Sequence, residues 1–174
     1  MKRYLLVGVT ILAAACGSSN PSPAPTPLPT SIVFNAALSA SNEVPPITNA
    51  DSNGKGTGTF TLNLTRDSAG AITAATGTFV YNLSGFPAGT TVRATHIHEG
   101  GPGIGNGTVR IDSGLTAATA FTLNDGSIGN QTFANVSVDV TLANQVIANP
   151  NGYYFNVHTG LNPGGAVRAQ LVKQ

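Results

Sequence analysis

The chain has 174 residues, of which 9% are charged and 6% aromatic, with no tryptophan and a formal net charge of +1 at pH 7. Eight Lys and Arg spread along the chain form no basic stripe, so nucleic-acid binding lacks its electrostatic footprint. A lone cysteine excludes internal disulfides, and any folded domain must be held by its core.

In chain order, Lys2 and Arg3 precede an apolar run from Tyr4 to Leu12, and Ala13-Ala14-Ala15 leads into Cys16. A run this short reads as the h-region of an export signal, because a membrane-spanning helix needs roughly 20 apolar residues. Small residues before a single cysteine resemble the lipobox of bacterial lipoproteins, in which the cysteine becomes an acylated N-terminus. One departure is Ala13, three before the cysteine, where that motif usually has Leu. The resemblance implies a signal peptide over 1–15, lipidation at Cys16 (palmitate or a related acyl chain) and a cell-envelope location. Gly17, in place of Asp, suits the outer membrane where there is one. Residues 16–30 continue as a linker with Pro21, Pro23, Pro25, Pro27 and Pro29 at every second position, a pattern that favours polyproline II.

Residues 31–174 are expected to form one domain, with six Lys and Arg against seven Asp and Glu. Apolar residues alternate at Phe60, Leu62 and Leu64, at Phe79, Tyr81 and Leu83, and at Val136, Val138 and Val140. They alternate again at Tyr153, Phe155 and Val157, and at Val167, Ala169 and Leu171. Period two over short runs predicts half-buried strands. Turn signals separate them at Asn53-Gly54, Arg66 to Gly70, Asn106-Gly107, Asp125-Gly126 and Asn151-Gly152. Only Thr141 to Ala148 reads as a short helix, ended by Asn149-Pro150. The fold class is therefore all-β, an antiparallel sandwich or barrel with at most one short helix.

Three motifs then stand out in order. Leu38-Ser39-Ala40-Ser41-Asn42-Glu43-Val44-Pro45-Pro46 opens the domain, and Thr95-His96-Ile97-His98-Glu99-Gly100-Gly101-Pro102-Gly103 lies mid-chain. The last runs from Tyr154-Phe155-Asn156-Val157-His158-Thr159 to Asn162-Pro163-Gly164-Gly165-Ala166-Val167-Arg168-Ala169-Gln170-Leu171. Together they resemble the CHRD (chordin-type) domain over nearly all of residues 32–172. Two departures are Ala166, where the family usually has Glu, and Ala169, where it usually has Gly. The resemblance implies an immunoglobulin-like, Greek-key β-sandwich or barrel. It also implies a lipid-anchored envelope protein with a non-enzymatic binding or structural role toward an unknown protein or envelope ligand.

All three histidines fall within these motifs. A strand turns His96 and His98 to one side with Cβ atoms roughly 6.5 to 7 Å apart. Both can then reach one ion if His158 arrives from another strand, with Glu99 or Glu43 offering oxygen. Three imidazoles with an open position suit zinc or copper. The other reading has the same histidines hydrogen-bonding turns and neighbouring strands. In the final strand pair Tyr153, Phe155 and Val157 are the expected core face, which leaves His158 with Tyr154 and Asn156 toward solvent. Around His96, alternation places Val92 and Ala94 on its side, and Arg93, Thr95 and Ile97 on the other. His98-Glu99 lacks a second histidine four residues on, so it is no zinc-protease helix, and no serine sits in a Gly-x-Ser-x-Gly elbow. Glu43 and Arg168 are either a structural ion pair or two solvated side chains.

Overall fold

The structure, a computed structural model, describes residues 26–174. The expected leader, Cys16 and most of the proline-rich linker lie outside them. Ten strands and one helix are formed: β1 (Ser31–Ser39), β2 (Lys55–Arg66), β3 (Ile72–Ser84), β4 (Thr90–Glu99), β5 (Thr108–Asp112), β6 (Phe121–Leu123), β7 (Ile128–Val138), α1 (Val140–Ala148), β8 (Tyr153–Thr159), β9 (Val167–Gln170) and β10 (Val172–Lys173).

One antiparallel sheet in the order β5-β4-β8-β9-β1-β2-β3-β7 curls into a nearly closed barrel. Two short strands complete it, β10 beside β1 and β6 beside β4. The all-β expectation thus resolves to a barrel. Its longest pairing is the β2–β3 hairpin, whose turn is built on Asp67: its Oδ1 accepts the Ala69 and Ala71 amides, each at 2.9 Å. Gly70 closes that turn at φ +86°, a backbone region where a Cβ is unfavourable. Inside the barrel, Phe60, Phe79 and Phe155 meet in succession through tilted and edge-to-face contacts with centroids 5.0 and 5.5 Å apart, and Tyr81 meets Phe155 edge-to-face at 5.8 Å. These are the residues whose alternation marks the strands.

The helix forms where the sequence places it, one residue longer at its start. The Asp139 side chain accepts the Leu142 amide at 3.0 Å, which satisfies one of the free donors at a helix start, and Asn149-Pro150 ends it. Val140 is its first residue, so it leaves the strand alternation of Val136 and Val138. Leu142, Ala143 and Val146 are buried.

Two expectations about strand faces are corrected. β4 carries a bulge: Val92 pairs with Thr159 and Ala94 with His158, so Arg93 is left over as an extra residue. The bulge reverses the alternation, and Val92 is buried together with Thr95 and Ile97 rather than lying on His96's side. All seven residues of β8 are also buried, His158 included. Tyr154, Asn156 and His158 do face outward from the barrel core. Loops around Glu43–Asn53, Gly100–Gly107 and Gly160–Gly165 roof that outer face and exclude solvent.

Candidate metal centre

The site is built on the outside of the barrel wall along one rung of the sheet. Cross-strand register aligns Asp112 of β5 with His96 of β4, His96 with Asn156 of β8, Asn156 with Arg168 of β9, and Arg168 with Ser39 of β1. His98 and His158 flank this rung on β4 and β8, paired with Tyr154 and Ala94 respectively.

The three imidazoles converge. His96 Nδ1 lies 3.1 Å from His158 Nε2, and His98 Nε2 lies 3.4 Å from the same atom. One ligand nitrogen from each ring falls within 4.8 Å of the others. The opposite nitrogens are held by the roof. His98 Nδ1 is 2.7 Å from the Gly107 carbonyl, and His158 Nδ1 is 2.9 Å from the Pro163 carbonyl. A carbonyl only accepts, so each of these Nδ1 atoms carries the proton and each Nε2 presents a lone pair inward. His96 turns Nε2 toward Asp112 Oδ2 at 3.5 Å, which leaves Nδ1 as its inward nitrogen. Such outer contacts are how metal-binding histidines have their tautomer and ring plane fixed. His98 also stacks on Tyr154 (centroids 4.9 Å, 8° between planes), and the Tyr154 hydroxyl accepts the Gly107 amide at 2.9 Å.

Burial lowers the pKa of all three rings. For His158 it falls to about 4, chiefly through burial; the neighbouring imidazoles push the same way and the Pro163 contact opposes them. His96 and His98 are lowered by burial first, with Asp112 opposing for His96 and the Gly107 carbonyl opposing for His98. The rings therefore favour their neutral forms, in which Nε2 of His98 and Nε2 of His158 face each other as lone pairs and His96 Nδ1 stands beside them. Lone pairs so arranged repel unless a cation lies among them. In a tetrahedral zinc site with Zn–N bonds of about 2.0–2.1 Å, ligand nitrogens sit roughly 3.4 Å apart. Two of the three spacings here, 3.1 and 3.4 Å, are close to that value, and all three nitrogens lie within 4.8 Å of one another.

Glu99 is not part of this centre. Successive strand residues alternate sides, so it turns away from His98, is exposed, and pairs with Arg110, the extra residue of a bulge in β5. Asp112 is the carboxylate that stands beside the histidines, and sequence reasoning missed it. Regular pairing across the Asn106-Gly107 hairpin sets His96 opposite Ile111; the β5 bulge moves the register by one to Asp112. Tyr154 was also missed, because its partner His98 is defined only by the β4–β8 register.

Glu43 and Arg168 match neither expectation. Both are buried, yet no Glu43 oxygen comes within 4.0 Å of an Arg168 nitrogen among the described residues. Arg168 Nε donates to the Asn42 carbonyl at 2.8 Å, and its guanidinium lies 4.4 Å from the Tyr154 ring centroid. Arg168 is an interior residue through packing and a cation–π contact, not through a carboxylate.

Comparison with known proteins gives one positive finding. The family model described as the CHRD domain matches residues 34–171, most of the chain. No curated protein and no solved structure matches. The matched span contains the barrel from the fourth residue of β1 to the end of β9, together with all three histidines and the rung that joins them. The chain belongs to the CHRD domain family.

Proposed function

We propose that this CHRD domain binds a divalent transition-metal ion, zinc or copper, through His96 Nδ1, His98 Nε2 and His158 Nε2. In this reading it does so as a non-enzymatic, lipid-anchored protein of the bacterial cell envelope. The observation that carries the proposal is the convergence of one nitrogen from each of three imidazoles within 4.8 Å, with carbonyls holding the opposite nitrogens of His98 and His158. Imidazole ligands suit both metals, and a three-histidine set leaves a coordination position for water or a further ligand. His96 is the least buried of the three, which supports ion entry on its side.

Metal analysis of untagged protein, alongside melting with added Zn²⁺ or Cu²⁺, tests the reading. One equivalent of metal is expected, with stabilisation of about 2.7 kcal/mol once free metal exceeds its Kd a hundredfold. His158→Ala removes both effects. Asp112→Asn keeps the ligands but weakens binding by roughly tenfold or more, the usual cost of losing an outer-shell partner. Metal-free protein whose melting is unchanged by either ion would refute the proposal.

A further inference from the structure

A second site lies next to the histidines and uses none of them. A cavity of about 310 Å³ opens between the loop from Glu43 to Asn49 and the loop from Leu161 to Gly165. One lining residue brings an acceptor without a donor: Glu43 Oε1 is buried and has no hydrogen-bond partner. Asn156, behind Gly165, carries a second orphaned acceptor, Oδ1, outside the lining. Glu43 is 7% exposed and Asn156 1%. Gly165 allows both to approach. At φ +135° it has no side chain, and a Cβ there would stand 2.6 Å from Asn156 Nδ2 and 2.9 Å from each Glu43 oxygen.

The same cavity is lined by Arg168. Its Nε is used by Asn42, and its two terminal nitrogens have no hydrogen-bond partner among the described residues. Cation and carboxyl thus sit on one cavity without touching. Val44 and Leu161, both exposed, form an apolar edge to it with Pro45, Pro46 and Ile47 behind.

We propose that this cavity binds the zwitterionic head of a small aliphatic α-amino acid. Its ammonium meets Glu43, its carboxylate meets the Arg168 guanidinium, and its side chain lies against Val44 and Leu161. An ammonium brings three donors to a carboxyl with an orphaned acceptor. The planar guanidinium, held on Tyr154, offers the fork geometry that carboxylates accept. A buried carboxyl without a partner is costly, and burial has already pushed Glu43 up to about 7, so a cationic group is the occupant that relieves it. A neutral sugar leaves both charges uncompensated, and a metal ion is opposed by Arg168. The volume lies at the small end for ligand pockets. This inference is independent of metal binding, although Pro163 lines the cavity and also holds His158.

Calorimetry on the purified full chain in detergent tests the assignment with five probes: L-valine, glycine, isobutylamine, 3-methylbutanoate and glucose. Valine is expected to give saturable heat. The amine and the acid, each lacking one end of the zwitterion, bind about tenfold more weakly or worse. Glu43→Gln and Arg168→Lys each reduce valine affinity by a similar factor. Should those buried variants fail to fold, Leu161→Gly on the exposed edge keeps the test: it weakens valine while leaving glycine unchanged. No heat from valine up to about 10 mM, equal binding of either half-molecule, or glucose binding in its place overturns the proposal.

Discussion

At the scale of single residues, the outer face of β8 and the loop beside it carry opposing titrations. His158 has a folded pKa of about 4 against an ordinary value of 6.5, so the folded chain binds fewer protons than the unfolded one between those limits. Its contribution is full above about pH 6.5 and is lost as pH falls toward 4, a change of about 3 kcal/mol. His96 and His98 act in the same direction. Glu43 acts in the other: raised from 4.5 to about 7, chiefly by burial with Arg168 opposing, it contributes stability below pH 4.5 that is lost as pH rises through 7. Removing that counterweight with Glu43→Gln should steepen the rise of metal-free stability between pH 4.5 and 6.5. Thermal melting across that range reads it, and an unchanged slope would mean that Glu43 is not titrating in the folded protein. The sequence shows which imidazoles matter because all three occur in the motifs. It does not show their burial, since the roof over them comes from loops whose path no periodicity encodes.

At the scale of elements, one buried polar cluster fastens the roof. Asp51, 1% exposed, accepts the Thr159 hydroxyl and the Asn162 amide, each at 2.6 Å. Asn49 exchanges hydrogen bonds with Asn162 at 2.7 and 3.2 Å, so the loop after β1 is tied to the loop after β8. Asp51→Ala strands two buried donors and should cost about 3 kcal/mol, readable as a lower urea midpoint. Because Pro163 belongs to the tied loop, the same variant is expected to weaken metal binding although it touches no histidine; full retention of affinity would show that the roof is not needed to aim His158. Alternation made β2, β8 and β9 beside these loops legible, though not β1, and α1 was legible from its short run before Asn149-Pro150. The bulges at Arg93 and Arg110 were not. Each adds one residue to a strand, and the resulting change of face or partner depends on pairing with a neighbour that the local sequence does not reveal.

At the scale of the whole molecule, the barrel separates two kinds of packing with one set of strands. β4 sends Thr95 and Ile97 inward and His96 and His98 outward; β8 sends Phe155 and Val157 inward and Asn156 and His158 outward. The interior is aromatic and aliphatic, whereas the roofed exterior layer is polar. Family membership was legible from the three motifs, and the fold class from spacing. The proposed lipid anchor depends on Cys16, and Cys16→Ser is expected to move the protein from the membrane to the soluble fraction; identical fractionation would rule it out.

The rung from Asp112 to Ser39 also sets a direction. The chain enters the barrel at Ser31, where Pro29 and Leu28 lie against Arg66 and Gly70 of the β2–β3 turn. It reaches the rung only at Ser39, the other end of β1, roughly 26 Å away at about 3.3 Å per residue. The point where the chain enters the barrel and the rung therefore lie at opposite ends of β1. Under the proposed lipid anchor, the histidines and the neighbouring cavity would be presented away from the membrane, where a partner could approach without first displacing it.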